Sequence, residues 1–100
     1  MVKHVILWQL KEEFSEEQKK EIRQGVKEGL EGLTGKIPGL LETHVQTEML
    51  PTSTADIMLE STFSDFEALK NYRNHPEHVK VADTKVRPFT RTRSCLDFEI

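Results

Sequence analysis

The run Val2-Lys3-His4-Val5-Ile6-Leu7-Trp8-Gln9-Leu10 decides how the rest of the chain is read. Its side chains alternate with the period of a β-strand, placing Val5 and Leu7 on one face and His4, Ile6 and Trp8 on the other. Both faces are apolar, so both need a cover. Downstream, Ser15 followed by Glu16, Glu17 and Gln18 reads as a capping box, and Ile22, Val26, Leu30 and Leu33 recur at helical spacing. Gly25, Gly29 and Gly32 lie beside that stripe. Each costs a helix about 1 kcal/mol relative to alanine, which points to close packing on a sheet or to local mobility. Gly35 and Pro38-Gly39 close the helix and turn the chain.

Alternation resumes from Leu41 to Glu48, with Leu41, Thr43, Val45 and Thr47 opposite Glu42, His44, Gln46 and Glu48, the pattern of a half-exposed strand near a sheet edge. Met49 to Thr54 is a loop. Ala55 to Phe63 reads as a third strand, with Ile57, Leu59 and Phe63 on one side and Met58 on the other. Ser64 with Glu67 predicts a second capping box, after which Phe66, Leu69 and Tyr72 point one way along a helix. Val79, Ala82 and Val86 predict a short helix ended by Pro88, and Thr90 to Ile100 a last strand. On that strand Ser94, Leu96 and Phe98 fall on one face and Arg91, Arg93, Cys95 and Asp97 on the other. The order β-α-β-β-α-β is an α+β arrangement, the split βαβ of ferredoxin-like folds. Two helices cover one face of such a sheet. Val5, Leu7, Met58, Leu96 and Phe98 are left on the other, and a symmetric dimer packed sheet to sheet removes that patch from water.

With 100 residues, 36% hydrophobic and 31% charged, the chain is expected to form one globular domain over residues 1–100 with a thin core. No apolar run approaches the roughly 20 residues of a membrane span. The net charge of −3 is spread over interspersed residues of both signs, which argues against nucleic acid as a partner. Cys95 stands alone, so no intrachain disulfide forms. A lone thiol and an N-terminus without signal-peptide layout predict a cytoplasmic protein.

The stretch Tyr72-Arg73-Asn74-His75-Pro76-Glu77-His78-Val79 holds two of the four histidines and the one tyrosine. Proline disfavours helical geometry in the residue before it but fits the first turn of a helix. One helix is therefore expected to end near His75 and another to begin at Pro76. Such a bend suits a pocket rim and brings His75 into the candidate lining; the competing reading is a helix stop with solvated histidines.

Taken together, the opening Val2-Lys3-His4-Val5-Ile6-Leu7-Trp8, the Pro38-Gly39 turn, His75-Pro76-Glu77-His78-Val79 and the closing Asp97-Phe98 resemble the stress-responsive dimeric α/β-barrel (Dabb) family. The resemblance runs the length of the chain. It implies a ferredoxin-like monomer that pairs through its sheets into a dimeric α/β barrel, with a pocket between helices and sheet. A more distant similarity is to the plant polyketide cyclases of the olivetolic acid cyclase type, which close a polyketide by aldol condensation. That similarity implies His78 as base and Tyr72 as the carbonyl-polarising partner, with His4, Ile6, Leu59 and Val79 as wall positions. An imidazole of near-neutral pKa can take a proton alpha to a carbonyl, and a phenol can donate to the enolate oxygen.

The chain departs from the cyclase pattern. Ile22, Arg23 and Val26 stand where the first helix is expected to present aromatic residues to the pocket, Trp8 is larger than its aliphatic counterpart, and Arg93 replaces an apolar wall residue. Arg93 either points to solvent or offers a charge to an anionic ligand. Two functions remain open: a homodimeric small-molecule-binding protein without turnover, taking a small carbonyl or aromatic ligand, or a cofactor-independent aldol or proton-transfer enzyme. A dimeric-barrel monooxygenase is a third, on fold analogy alone. No cofactor and no metal is expected. His75, Glu77, His78 and His4 are ligand types, but no spacing among them is diagnostic.

Overall fold

A computed structural model describes residues 1–100. Four antiparallel strands, β1 (Val2–Leu10), β2 (Leu40–Gln46), β3 (Ile57–Phe63) and β4 (Thr90–Glu99), form one sheet in the order β2-β3-β1-β4. Helix α1 (Glu16–Glu31) joins β1 to β2. Helices α2 (Phe66–Asn74) and α3 (Pro76–Val81), with a π-helical turn at Ala82–Val86, join β3 to β4. This is the ferredoxin-like fold. No helix is long and apolar enough to cross a membrane.

Strand β1 is central and paired on both sides, so its alternation sets the two faces of the whole sheet. His4 lies opposite Ser61 on β3 and Asp97 on β4, Ile6 opposite Leu59 and Cys95, and Trp8 opposite Ile57 and Arg93. That face carries the helices. Its core gathers Ile6, Trp8, Leu59 and Phe63 with Val26 and Leu30 of α1 and Leu69 and Tyr72 of α2, all buried. On the reverse face, Leu7 is 40%, Leu96 61% and Phe98 43% exposed, so the apolar patch expected from the strand pattern is present on the single chain. Lys3 reaches Glu60 (2.8 Å) and Thr62 (2.9 Å) along one side of the patch.

Several local expectations need correction. Ser15 caps α1 as the capping box requires, with Gln18 returning the bond to its backbone. The second helix, however, is capped by Asp65, whose carboxylate accepts from Ala68 N–H at 2.8 Å. The Ser64 N–H is committed to the Gly39 carbonyl, which keeps Ser64 in the strand exit and moves the cap one residue on. Strand β3 starts at Ile57 because Asp56 is spent on tying down β1: its side chain accepts from Leu10 N–H and its own N–H donates to the Trp8 carbonyl. In β2 a bulge between Leu40 and Glu42 makes Leu41 the extra residue. Leu40, rather than Leu41, is buried, and Leu41 faces out. A second bulge, opposite Gln9 and Leu10, takes Arg91 out of the alternation, and Arg91 pairs with Glu12 instead of sharing a face with Arg93. The close approach signalled by Gly29 is to Val81 of α3, 2.9 Å from where a Cβ would sit, and not to the sheet.

Gly39 is required twice over. Its φ of +82° is left-handed, and a Cβ there would fall 2.4 Å from the Ala68 Cβ of α2. Gly35, at φ +90°, has nothing within 4 Å. Gly35→Ala is therefore expected to cost only left-handed strain, about 1–2 kcal/mol, whereas Gly39→Ala adds a clash with the rigid Ala68 side chain of α2 and should cost clearly more. Urea midpoints of the two variants check this; equal losses would mean α2 moves aside freely.

Candidate functional site

The chemistry gathers where α2 meets α3. The backbone of His75 is extended (φ −66°, ψ 132°), as the following proline demands, and this ends α2 and opens α3 with Pro76 in its first turn. The His75 N–H donates back to the Tyr72 carbonyl, while its ring accepts from Glu77 N–H at 3.1 Å. His75 is thus a cap at the bend and does not line the cavity. The bend folds His78 back over Tyr72, with ring centroids 4.1 Å apart. Tyr72 in turn stands edge-on to Phe63 (5.0 Å) and to His4 (6.2 Å).

These rings border a cavity of about 740 Å³ between helices and sheet, within the usual range of small-molecule sites. Of the residues singled out from sequence, His4, Ile6, Trp8, Leu59, Tyr72, His78 and Arg93 line it. Four do not: His75 for the reason given, Val26 because it is fully buried in the core, Val79, which is only partly buried, and Ile22, which borders a smaller, separate cleft with Phe14 and Phe89. Sequence reasoning missed Leu30, Lys70, Arg73, Asn74, Ala82, Val86, Arg87 and Thr90, which complete the lining. Lys70, Arg73 and Asn74 stand at i, i+3 and i+4 beside Tyr72, a spacing that would have flagged them. Ala82, Val86 and Arg87 enter through the π-helical turn, where Arg87 N–H bonds the Ala82 carbonyl five residues back.

The protonation states follow from the geometry. Burial pushes the Tyr72 phenol well above its ordinary pKa, so it stays a donor. Burial holds the His78 imidazole below its ordinary value against the bond to the Arg73 carbonyl, and Arg87, His4 and Arg93 add to the depression. The His78 Nδ1 is 3.2 Å from that carbonyl. A carbonyl only accepts, so Nδ1 carries the proton and Nε2 keeps its lone pair. His4 is also held low, chiefly by burial, although its Nδ1 is hydrogen-bonded to the Asp97 carboxylate, which favours the charged form. Cys95 stays a thiol: burial and Asp97 raise its pKa, and its Sγ is 3.6 Å from an Asp97 oxygen. It offers no thiolate nucleophile.

The strand register also assembles a set that linear spacing hides. His4 Nδ1, Cys95 Sγ and an Asp97 oxygen lie within 4.8 Å of one another, so the clustered metal-ligand types are these and not the His75-Glu77-His78 segment. As they stand, these donors satisfy one another.

A ferredoxin-like chain with an aromatic and histidine-lined cavity on its helical side and a bare apolar sheet on the other defines a class of small α/β-barrel domain proteins. The chain belongs to the stress-responsive A/B barrel domain (Dabb) family, whose model matches residues 2–100. Among solved structures, a dimeric protein of unknown function from Bacteroides fragilis superposes with a TM-score of 0.92 at 32% identity, covering 99% of this chain and 95% of that one. An Arabidopsis thaliana protein gives 0.76 at 25%, covering 100% and 95%. A hydroxynitrile lyase from Passiflora edulis gives 0.74 at 20%, covering 99% and 92%, a likeness of fold. No curated protein matches the chain.

Unfolding frees both His4 and His78 to titrate at their ordinary 6.5. Between that value and the depressed folded values the unfolded chain binds more protons, so stability is complete above pH of about 6.5 and is lost as pH falls through the folded pKa values. Urea midpoints are expected to drop between pH of about 7 and about 5, before most carboxylates titrate, and His78→Gln should remove part of that slope. A flat profile in this window would contradict buried, neutral rings.

Proposed function

We propose that the chain, as one domain over residues 1–100, forms a homodimer through its sheet faces and binds a small carbonyl or aromatic compound in the cavity between helices and sheet. The observation that carries the binding reading is the Tyr72–His78 pair. A protonated phenol and a neutral imidazole with a free Nε2 lie ring to ring at 4.1 Å on one cavity wall, a donor and an acceptor side by side. The dimer is supported by the exposed Leu7, Leu96 and Phe98 and by the dimeric Bacteroides fragilis relative. Burying such side chains stabilises association by roughly 1.5–3 kcal/mol each. A reducing, cytoplasmic setting fits the protonated lone thiol of Cys95.

A second reading, cofactor-independent aldol or proton-transfer chemistry, is favoured by one specific feature. The Arg73 carbonyl fixes the His78 tautomer, so the lone pair that a general base needs is already on Nε2. In that reaction His78 removes a proton alpha to a carbonyl while Tyr72 donates a hydrogen bond to the developing enolate oxygen.

Leu7→Glu is expected to give monomers or aggregates by light scattering, and a wild type that is monomeric at micromolar concentration would overturn the dimer. Trp8, the single tryptophan, lines the cavity and reports occupancy. Aromatic ketones such as 4-acetylbenzoate and its methyl ester should quench its fluorescence saturably; no saturable response to either would end the binding reading. For the second reading, exchange of the acetyl protons in D₂O followed by NMR should exceed the buffer rate, and His78→Ala should abolish the excess, about 10²- to 10⁴-fold. Exchange no faster than buffer leaves binding alone.

A further inference from the structure

We propose that the cavity takes an anion, a small carbonyl compound that also bears a carboxylate, held at the cavity mouth by Arg93 and Arg73. This rests on the cavity reading above and narrows it to a ligand class.

Charge is segregated here against composition. The chain has 17 acidic residues to 14 Lys and Arg. Yet the cavity lining includes Lys70, Arg73, Arg87 and Arg93 and no carboxylate. All four cations are exposed side chains, as groups at a mouth must be, while Ile6, Trp8 and Leu59 behind them are buried. Two of the four are already neutralised: Lys70 pairs with Glu67 at 3.0 Å, and Arg87 pairs with Asp83. Ion pairs among the five arginines involve only Arg23, Arg87 and Arg91, which leaves Arg73 and Arg93 without a carboxylate. Asp97, on the same face of β4 as Arg93, is spent on His4 and is not in the lining.

The position of Arg93 is built into the strand. The bulge opposite Gln9 and Leu10 pairs Thr90 with Leu10 and Arg93 with Trp8, so that both Thr90 and Arg93 face the cavity where unbroken alternation would have sent one of them away. Arg91, two residues earlier, leaves the cavity and meets Glu12 at 3.4 Å. On the helical side Arg73 directly follows Tyr72, and its own carbonyl holds His78. A guanidinium presents a planar fork that matches a carboxylate, and a charge-assisted pair of this kind is about twice as strong as a neutral hydrogen bond. Two guanidiniums without a carboxylate partner leave the cavity mouth with charge that an anion would neutralise. Arg93 helps to keep both His4 and His78 uncharged, so a carboxylate bound to it should raise the pKa of His78.

Two probes of one shape test this: 4-acetylbenzoate and its methyl ester, titrated into the full-length wild type by calorimetry with Trp8 fluorescence alongside. The carboxylate is expected to bind at least about tenfold more tightly than the ester, and raising salt from about 50 mM to about 500 mM should narrow that ratio by screening. Arg93→Gln or Arg73→Gln should lower the acid-to-ester ratio severalfold, and the double variant should abolish it. Arg91→Gln is the control and should leave the ratio intact. Circular dichroism and retained saturable binding of the ester show that each variant still folds. Equal binding of acid and ester by wild type overturns the anion assignment while the cavity reading stands; failure of both probes to bind overturns both. A preference that survives the double variant, or falls equally in Arg91→Gln, also overturns the assignment to Arg93 and Arg73.

Discussion

Everything in this molecule hangs on the alternation of β1. It is hydrogen-bonded on both flanks, so a slip of one residue would turn His4, Ile6 and Trp8 to the bare face and send Val5 and Leu7 into the helices. The two ladders fix that choice from both sides, and the Asp56 side chain pins the end of the strand at Leu10. Core, cavity floor and apolar patch are thus three consequences of one register. Replacing a β1 residue tests one face without disturbing the other, since neighbouring side chains never share a surroundings.

The cavity owes its chemistry to a second constraint, the proline at position 76. Forcing His75 out of helical geometry costs α2 its continuation, and the chain recovers by capping α3 with the His75 ring. That turns the next helix so that His78 lies over Tyr72. Burial then reinforces the states that both rings favour near neutral pH: it holds the phenol protonated and the imidazole neutral. Carbonyl chemistry and carbonyl recognition ask for this same pair of states, which is why the two proposed readings share one arrangement.

Much of this was legible in the sequence, for physical reasons. Strict alternation in Val2–Leu10 and the Ser15–Gln18 box are local signals that tertiary structure had no cause to override, and the His75-Pro76 step carries its own backbone rule. The illegible parts are those set by partners distant in the chain. Leu41 was placed on the wrong face because a bulge against β3 gives no mark in its own residues, and Ser64 lost the cap to Asp65 because its N–H was claimed by Gly39. Ile22, Val26 and Val79 are expected at the cavity from the resemblance to the cyclases, which carries over positions along a helix but not how that helix packs. The gathering of His4, Cys95 and Asp97 is likewise a product of strand pairing across more than 90 residues of sequence.

The π-helical turn at Ala82–Val86 gives the cavity a length dial. A helical residue advances the chain by about 100° of rotation, and one turn holding an additional residue resets the phase of everything after it without touching a sheet hydrogen bond. Ala82, Val86 and Arg87 reach the cavity through that reset. Dropping a single residue here would restore ordinary helical winding and swing a different set of side chains over the opening. An insertion or deletion at this one turn would therefore change which side chains border the cavity while leaving the apolar sheet face on the opposite side untouched.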